Sequence, residues 1–115
     1  TPENAEEWAE RELLFSPYYT ENIRSTTGAG DNAIAGFLAS FLRSDLPEHA
    51  LAVASANALR CIESYETTDR TIHIEALDEI IAMKPKQEEA ADISESYWKK
   101  NTVNKAFYGR HDTRG

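Results

Sequence analysis

Between Ile34 and Leu42 the large apolar residues Ile34, Phe37, Leu38, Phe41 and Leu42 fall at i, i+3, i+4, i+7 and i+8. That spacing is one face of an α-helix. The other positions, Ala35, Gly36, Ala39 and Ser40, are small enough for a neighbouring backbone to come close. A second helix is announced by Asp45, with Pro47 just inside its start, and runs through "EHALAVASANALRCIESY". It is alanine-rich nearly all round, as suits a helix packed on several sides. After a polar break, "ETTDR", the residues Ile74, Leu77, Ile80 and Ile81 mark a third, amphipathic helix ended by Pro85.

Upstream of the first helix the pattern changes. Residues Thr1 to Glu12 are acidic and polar, with Trp8 as the one large apolar group. "RELLF" and "YYTENIR" read as extended, because Tyr18, Thr20 and Ile23 suit a strand and Pro17 marks a bend between the two. Downstream, "KPKQEEAAD" reads as a solvated linker. The tail from Tyr97 sets Trp98, Phe107 and Tyr108 among Lys99, Lys100, Lys105, Arg110 and Arg114. The predicted division is residues 1–84 as one folded unit and 85–115 as linker and aromatic-basic tail.

Composition narrows the classes. A chain of 115 residues with 41% hydrophobic content supports one domain. Twelve Lys and Arg against 20 Asp and Glu give a net charge of −8, so nucleic acid and anionic membranes are not expected partners. The aromatic-basic tail is instead expected to dock on its own domain or on another subunit. Cys61 is the only cysteine, which excludes an internal disulfide. No stretch reaches the roughly 20 apolar residues of a membrane span, and the N-terminus lacks the regions of a signal peptide. The cytoplasm is the expected location. His49, His73 and His111 are far apart and form no ligand pair with Cys61, so no metal site is expected.

The candidate chemistry lies in "STTGAGD", Ser25 to Asp31. Gly28 and Gly30 open backbone angles and remove Cβ obstruction, and Ala29 keeps the loop narrow. The turn leads into a helix N-terminus, whose unpaired N–H groups and dipole attract an anion, phosphate above all. It lacks the Gly-Lys-Ser/Thr ending of a P-loop, which excludes a Walker site. Asp31 has two readings. It is a helix-start carboxylate favoured by the dipole, or a general base placed beside a phosphate to take a proton from an attacking hydroxyl.

"TTGAGD" followed by "AIAGFLASFL" resembles the C-terminal signature of the ribokinase-like, or PfkB, family of carbohydrate and nucleoside kinases. "RELLFSPYYTENIR" resembles that family's strand pair entering the motif, "LPEHALAVASANAL" its next helix and "IHIEALDEII" its closing one. The resemblance implies an α/β fold of which this chain is the C-terminal portion, short strands followed by three helices. It implies transfer of the γ-phosphoryl group of ATP, with Mg²⁺, to a hydroxyl of a sugar or nucleoside. Asp31 would be the catalytic base; Gly28, Ala29 and Gly30 the anion hole; Thr26 and Thr27 the lead into the nucleotide site; Asn57 and Ala58 part of the adenine pocket. Ser25 replaces the family's usual Asp, and Arg70 stands where many members have Gly in a loop that often binds a monovalent cation. The family's sugar-binding residues and most of its parallel sheet are assigned to a region N-terminal to this stretch, and the family's Asn-x-x-Glu motif for Mg²⁺ is not expected in this chain. The expected partner is therefore the remainder of the kinase chain or another subunit. The alternative is a non-catalytic remnant or interaction module of the same fold.

Overall fold

The computed structural model describes residues 4–23, 28–63, 73–89 and 96–113. Four helices and three short strands are formed there: α1 (Ala5–Trp8), β1 (Leu13–Leu14), α2 (Ala29–Leu42), α3 (Pro47–Ile62), α4 (Ile74–Ala82), β2 (Lys99–Lys100) and β3 (Phe107–Tyr108). The architecture is mixed, helices with a small antiparallel sheet, and is compatible with a PfkB-like α/β fragment.

The three expected helices are present, and their starts follow from local chemistry. Pro47 opens α3 at its first position, where a missing N–H costs nothing. Asp45 does not cap α3; its carboxylate accepts from the Ser40 hydroxyl at 2.5 Å and from Arg43 Nη2 at 2.6 Å. Ser44, with φ 67°, closes α2 by donating its N–H to Phe41 O. The turn between α2 and α3 is thus held from inside.

Helices α2 and α3 meet through small residues rather than through the large apolar face of α2. Gly36 and Ser40 are buried, and a Cβ at Gly36 would stand 3.0 Å from Asn57 Cβ and 3.1 Å from Val53 O. Phe37 and Phe41 are covered by Trp8, whose ring meets them edge-on at 5.6 and 4.8 Å. The Trp8 indole N–H also reaches Asp45 O at 3.0 Å, and the Asn4 amide reaches Ser44 O at 2.8 Å. So α1, inside a segment that reads as polar, is a lid on the α2–α3 turn. Ile34, Leu38 and Leu42 remain exposed at 62%, 50% and 75%.

The core lies between α3, α4 and the segment ahead of α2. Tyr18, Val53, Ala56, Leu59 and Leu77 form it, with Phe15, Ile74, Ile80 and Ile81 against its edge. Burial pushes the Tyr18 phenol up to about 12.

Two expectations need correction. "YYTENIR" does not form a strand in its described part: Tyr18 makes one bridge with Gln87, the Thr20 hydroxyl turns to Glu63, and Ile23 is exposed. "KPKQEEAAD" is largely exposed over its described residues, as expected of a solvated segment, but it is not a free linker. It runs back along residues 16–19, with Tyr19 N–H donating to Lys86 O at 2.7 Å and Glu88 N–H to Pro17 O at 2.8 Å. The strand partners of "RELLF" also come from the tail. Leu13 and Leu14 pair antiparallel with Tyr108 and Phe107, and β2 pairs on the far side, in the order β1-β3-β2.

Candidate functional site

The start of α2 has the geometry of an open anion cradle. Gly28 is its N-cap at φ 82° and ψ 1°, a left-handed conformation that a side chain would strain. The first amides of a helix have no intrahelical acceptor, and glycine has no side chain with which to cap them. The N–H groups of Ala29, Gly30 and Asp31 therefore point out of the helix end, where the dipole is positive. Gly30 is glycine for a different reason. Its φ is not positive, and a Cβ built there would meet nothing within 4 Å. Neither backbone nor packing requires glycine at this position, which leaves free approach to the amides. Asp31 follows on the same first turn, exposed.

Two asparagines hold this turn. Asn32 closes it twice, its backbone N–H on Gly28 O at 2.9 Å and its side-chain amide on the same oxygen at 2.8 Å. Asn57, only 3% exposed on α3, donates its amide to Asn32 O at 2.7 Å. Asn57 thus reaches the first turn of α2 through one hydrogen bond, and Ala58 is its half-buried neighbour. The positioning roles of both asparagines escape sequence reasoning. The available signal is a polar residue inside an alanine-rich helix, where an unbonded amide would be costly. Thr26 and Thr27, with Ser25 and Arg70, lie outside the described residues.

Two clusters of charge elsewhere are already engaged. Arg11, 6% exposed, donates Nε to Asp112 Oδ1 at 2.9 Å and Nη1 to Glu7 O at 2.7 Å, with Nη2 2.8 Å from Glu48 Oε2. The Tyr108 hydroxyl donates to the same Glu48 oxygen at 2.9 Å. Burial alone would raise the Glu48 carboxyl, but Arg11, the backbone and Tyr108 outweigh it and hold Glu48 below the usual carboxylate range. A second cluster joins α2, α3 and α4. Arg43 pairs with Asp78 at 2.8 Å, and His49 Nε2 lies 2.8 Å from the same carboxylate. Arg43 first, and His49 after it, hold Asp78 below its ordinary value.

Among the described residues no group of three His, Cys, Asp or Glu side chains could hold a metal ion. The Asn-x-x-Glu spacing does occur once in the chain, at Asn4 and Glu7. There the Asn4 side-chain NH₂ donates to Ser44 O and Asp45 O, a tie to the α2–α3 turn, while its Oδ1 is buried with no hydrogen-bond partner among the described residues. Among the described residues no helix is long and apolar enough to cross a membrane.

A family model described as pfkB family carbohydrate kinase matches residues 6–74. The chain belongs to the pfkB family. The match runs from α1 through the Gly28–Asp31 turn and the α2–α3 pair to the first residue of α4. In this pfkB chain the segment carrying β2 and β3 lies beyond it. Neither a search of curated proteins nor one of solved structures gave a match.

Proposed function

We propose that this chain carries the phosphoryl-transfer corner of an ATP-dependent carbohydrate kinase, and that residues 1–84 correspond to the C-terminal part of its kinase domain. The observation that carries the reading is the N-terminus of α2. A left-handed glycine cap, an unobstructed Gly30 and an exposed carboxylate at Asp31 stand on one helical turn. Membership of a carbohydrate-kinase family supports the same assignment.

In this reading the amides of residues 28–31 face the γ-phosphoryl group and stabilise the charge that spreads over its oxygens during transfer. Asp31 accepts the proton of the sugar or nucleoside hydroxyl as its oxygen bonds to phosphorus. The bond to the β–γ bridging oxygen breaks and ADP leaves. Asn32 and Asn57 are positioning residues that keep the cradle rigid. Thr26 and Thr27 lead the chain toward the nucleotide. Mg²⁺ arrives with ATP, where it neutralises phosphate charge; the described side chains offer it no ligand set. The remainder of the kinase, in the same chain or another subunit, supplies the sugar pocket, and the enzyme works in the cytoplasm.

The test is Asp31→Asn in the complete enzyme, with turnover and nucleotide affinity measured together. Asn keeps the size and the capping ability but cannot accept the proton. Turnover is expected to fall about 10²–10⁴-fold while ATP affinity holds or tightens. Because Asn caps nearly as well as Asp, a purely structural Asp31 would leave turnover within a few-fold of wild type. That result would sink the catalytic role and favour a non-catalytic module.

A further inference from the structure

The lysines of this chain are distributed in a way that the kinase reading does not use. All five, Lys84, Lys86, Lys99, Lys100 and Lys105, fall within residues 84–105. Residues 1–83 carry 5 Arg and 15 Asp or Glu, a net −10, whereas residues 84–115 carry 7 basic and 5 acidic groups, a net +2. The return segment after α4 and the β2–β3 hairpin bring four of these lysines to one cleft of about 510 Å³. Lys84 and Lys86 come from the return segment, Lys100 and Lys105 from the hairpin, and Trp98 and Phe107 also line the cleft.

Among the described residues none of the four lysines has an ion-pair partner within 4 Å, in a chain with 20 carboxylates. Glu88 and Glu89 also line the cleft, so that its described lining carries two positive charges in excess. Lys100 Nζ lies 5.4 Å from the centre of the Phe107 ring and Lys86 Nζ 5.0 Å from that of Tyr19, so two of the cations rest on aromatic faces. Lys84 and Lys105 stand at φ 51° and 66°. These are left-handed positions that cost a lysine about 1–2 kcal/mol and that Gly or Asn would fill more easily.

We propose that this cleft binds a small phosphate-bearing polyanion, its phosphates bridging Lys84, Lys86 and Lys105 and any flat ring lying on Trp98. The volume matches small-molecule sites, which run about 300–1,000 Å³. A long polyanion is disfavoured by the acidic remainder of the chain. A small one is held within roughly one Debye length, about 8 Å, of the unpaired cations. Phosphate suits lysine, which binds it as a point charge without a planar fork. All four lysines lie beyond the pfkB match, and the site does not depend on Asp31.

The experiment labels both tryptophans with fluorine and titrates the 115-residue chain with inorganic tripolyphosphate at 0.15 M ionic strength. Trp98→Phe assigns the two ¹⁹F resonances. The Trp98 resonance is expected to shift saturably while that of Trp8, which packs on Phe37 and Phe41 and does not line the cleft, stays still. ADP in a second titration separates the sources: tighter binding than tripolyphosphate identifies a nucleotide, and equal binding a ligand held by phosphate alone. Lys84→Gln/Lys105→Gln is expected to weaken binding by about tenfold or more, the loss of charge-assisted contacts. Asp31→Asn leaves it unchanged. If the double variant loses the native Trp8 resonance, Lys86→Gln/Lys100→Gln replaces it, since those lysines have ordinary backbone angles. A Trp98 shift that NaCl reproduces at equal ionic strength, or that survives both double variants, overturns the proposal. So does a single-stranded oligonucleotide that binds more tightly than either phosphate probe.

Discussion

The start of α2 and the clamp around Arg11 are both built from charged and polar groups, but they are opposite in kind. At the clamp, Arg11 and Asp112 are 6% and 0% exposed, and Glu48 takes both Arg11 and Tyr108. At the helix start, Gly28 caps without a side chain, Gly30 faces open space and Asp31 is exposed. Paired, buried charge holds the tail to the body of the molecule, even though Glu48 Oε1 and Arg11 Nη2 make no hydrogen bond of their own among the described residues. At the helix start, among the described residues, no side chain caps the first amides. The difference separates a clamp that serves structure from the turn to which the proposed chemistry is assigned.

The largest expected effect lies in the clamp. Arg11→Met would leave Glu48 and Asp112 buried without their cation, at a cost of about 3–5 kcal/mol. Denaturant unfolding should show the loss, with the resonances of Phe107 and Tyr108 leaving their folded positions first. A loss under 1 kcal/mol would show that the tail docks without its charges. The two α2 glycines sharpen the comparison next. Gly36→Val drives a branched side chain into Asn57 and the Val53 carbonyl, and should cost about 1–3 kcal/mol. Gly30→Val meets no protein atom, so the melt should stay close to that of the wild type while nucleotide affinity in the complete enzyme falls. Equal destabilisation by both would contradict the open approach at Gly30.

Acid gives a smaller and gradual effect. Glu48 and Asp78 are held below their ordinary values of 4.5 and 3.8, so the unfolded chain binds protons more readily than the folded one. Their stabilisation is complete above those values and fades as pH falls through the lower, folded ones. A stability–pH profile should therefore drop below about pH 4.5 in the wild type, and drop less steeply in Glu48→Gln. The smallest effect concerns the exposed stripe of α2. Leu38 and Leu42 are at least half exposed, so replacing them with Gln should change thermal stability by no more than about 0.5 kcal/mol. Self-association of the isolated chain, followed by sedimentation, should decrease. An unchanged sedimentation profile would show that the stripe makes no contact between copies.

The pattern of Ile34 to Leu42 located α2 but assigned its buried side by size. Periodicity marks a face without naming what covers it. Here the small face meets α3, and Trp8 covers Phe37 and Phe41. "YYTENIR" had strand composition, but a strand needs a neighbour along its whole length, and Tyr18 found one only at Gln87. The "KPKQEEAAD" segment looked solvated because its side chains are polar, whereas its order comes from backbone bonds to Pro17 and Tyr19 that composition does not record.

The sequence by itself determined the three helices, the glycine turn, the family and the candidate roles of Gly28 to Asp31, because each depends on residues close together in the chain. Only the tertiary structure decided that Asn57 supports Asn32, that Arg11 meets Asp112 across 101 positions, and that lysines from two segments share one cleft. Those pairings arise from how helices and hairpin settle against one another. Spacing along a chain carries no record of which distant polar groups must then satisfy each other.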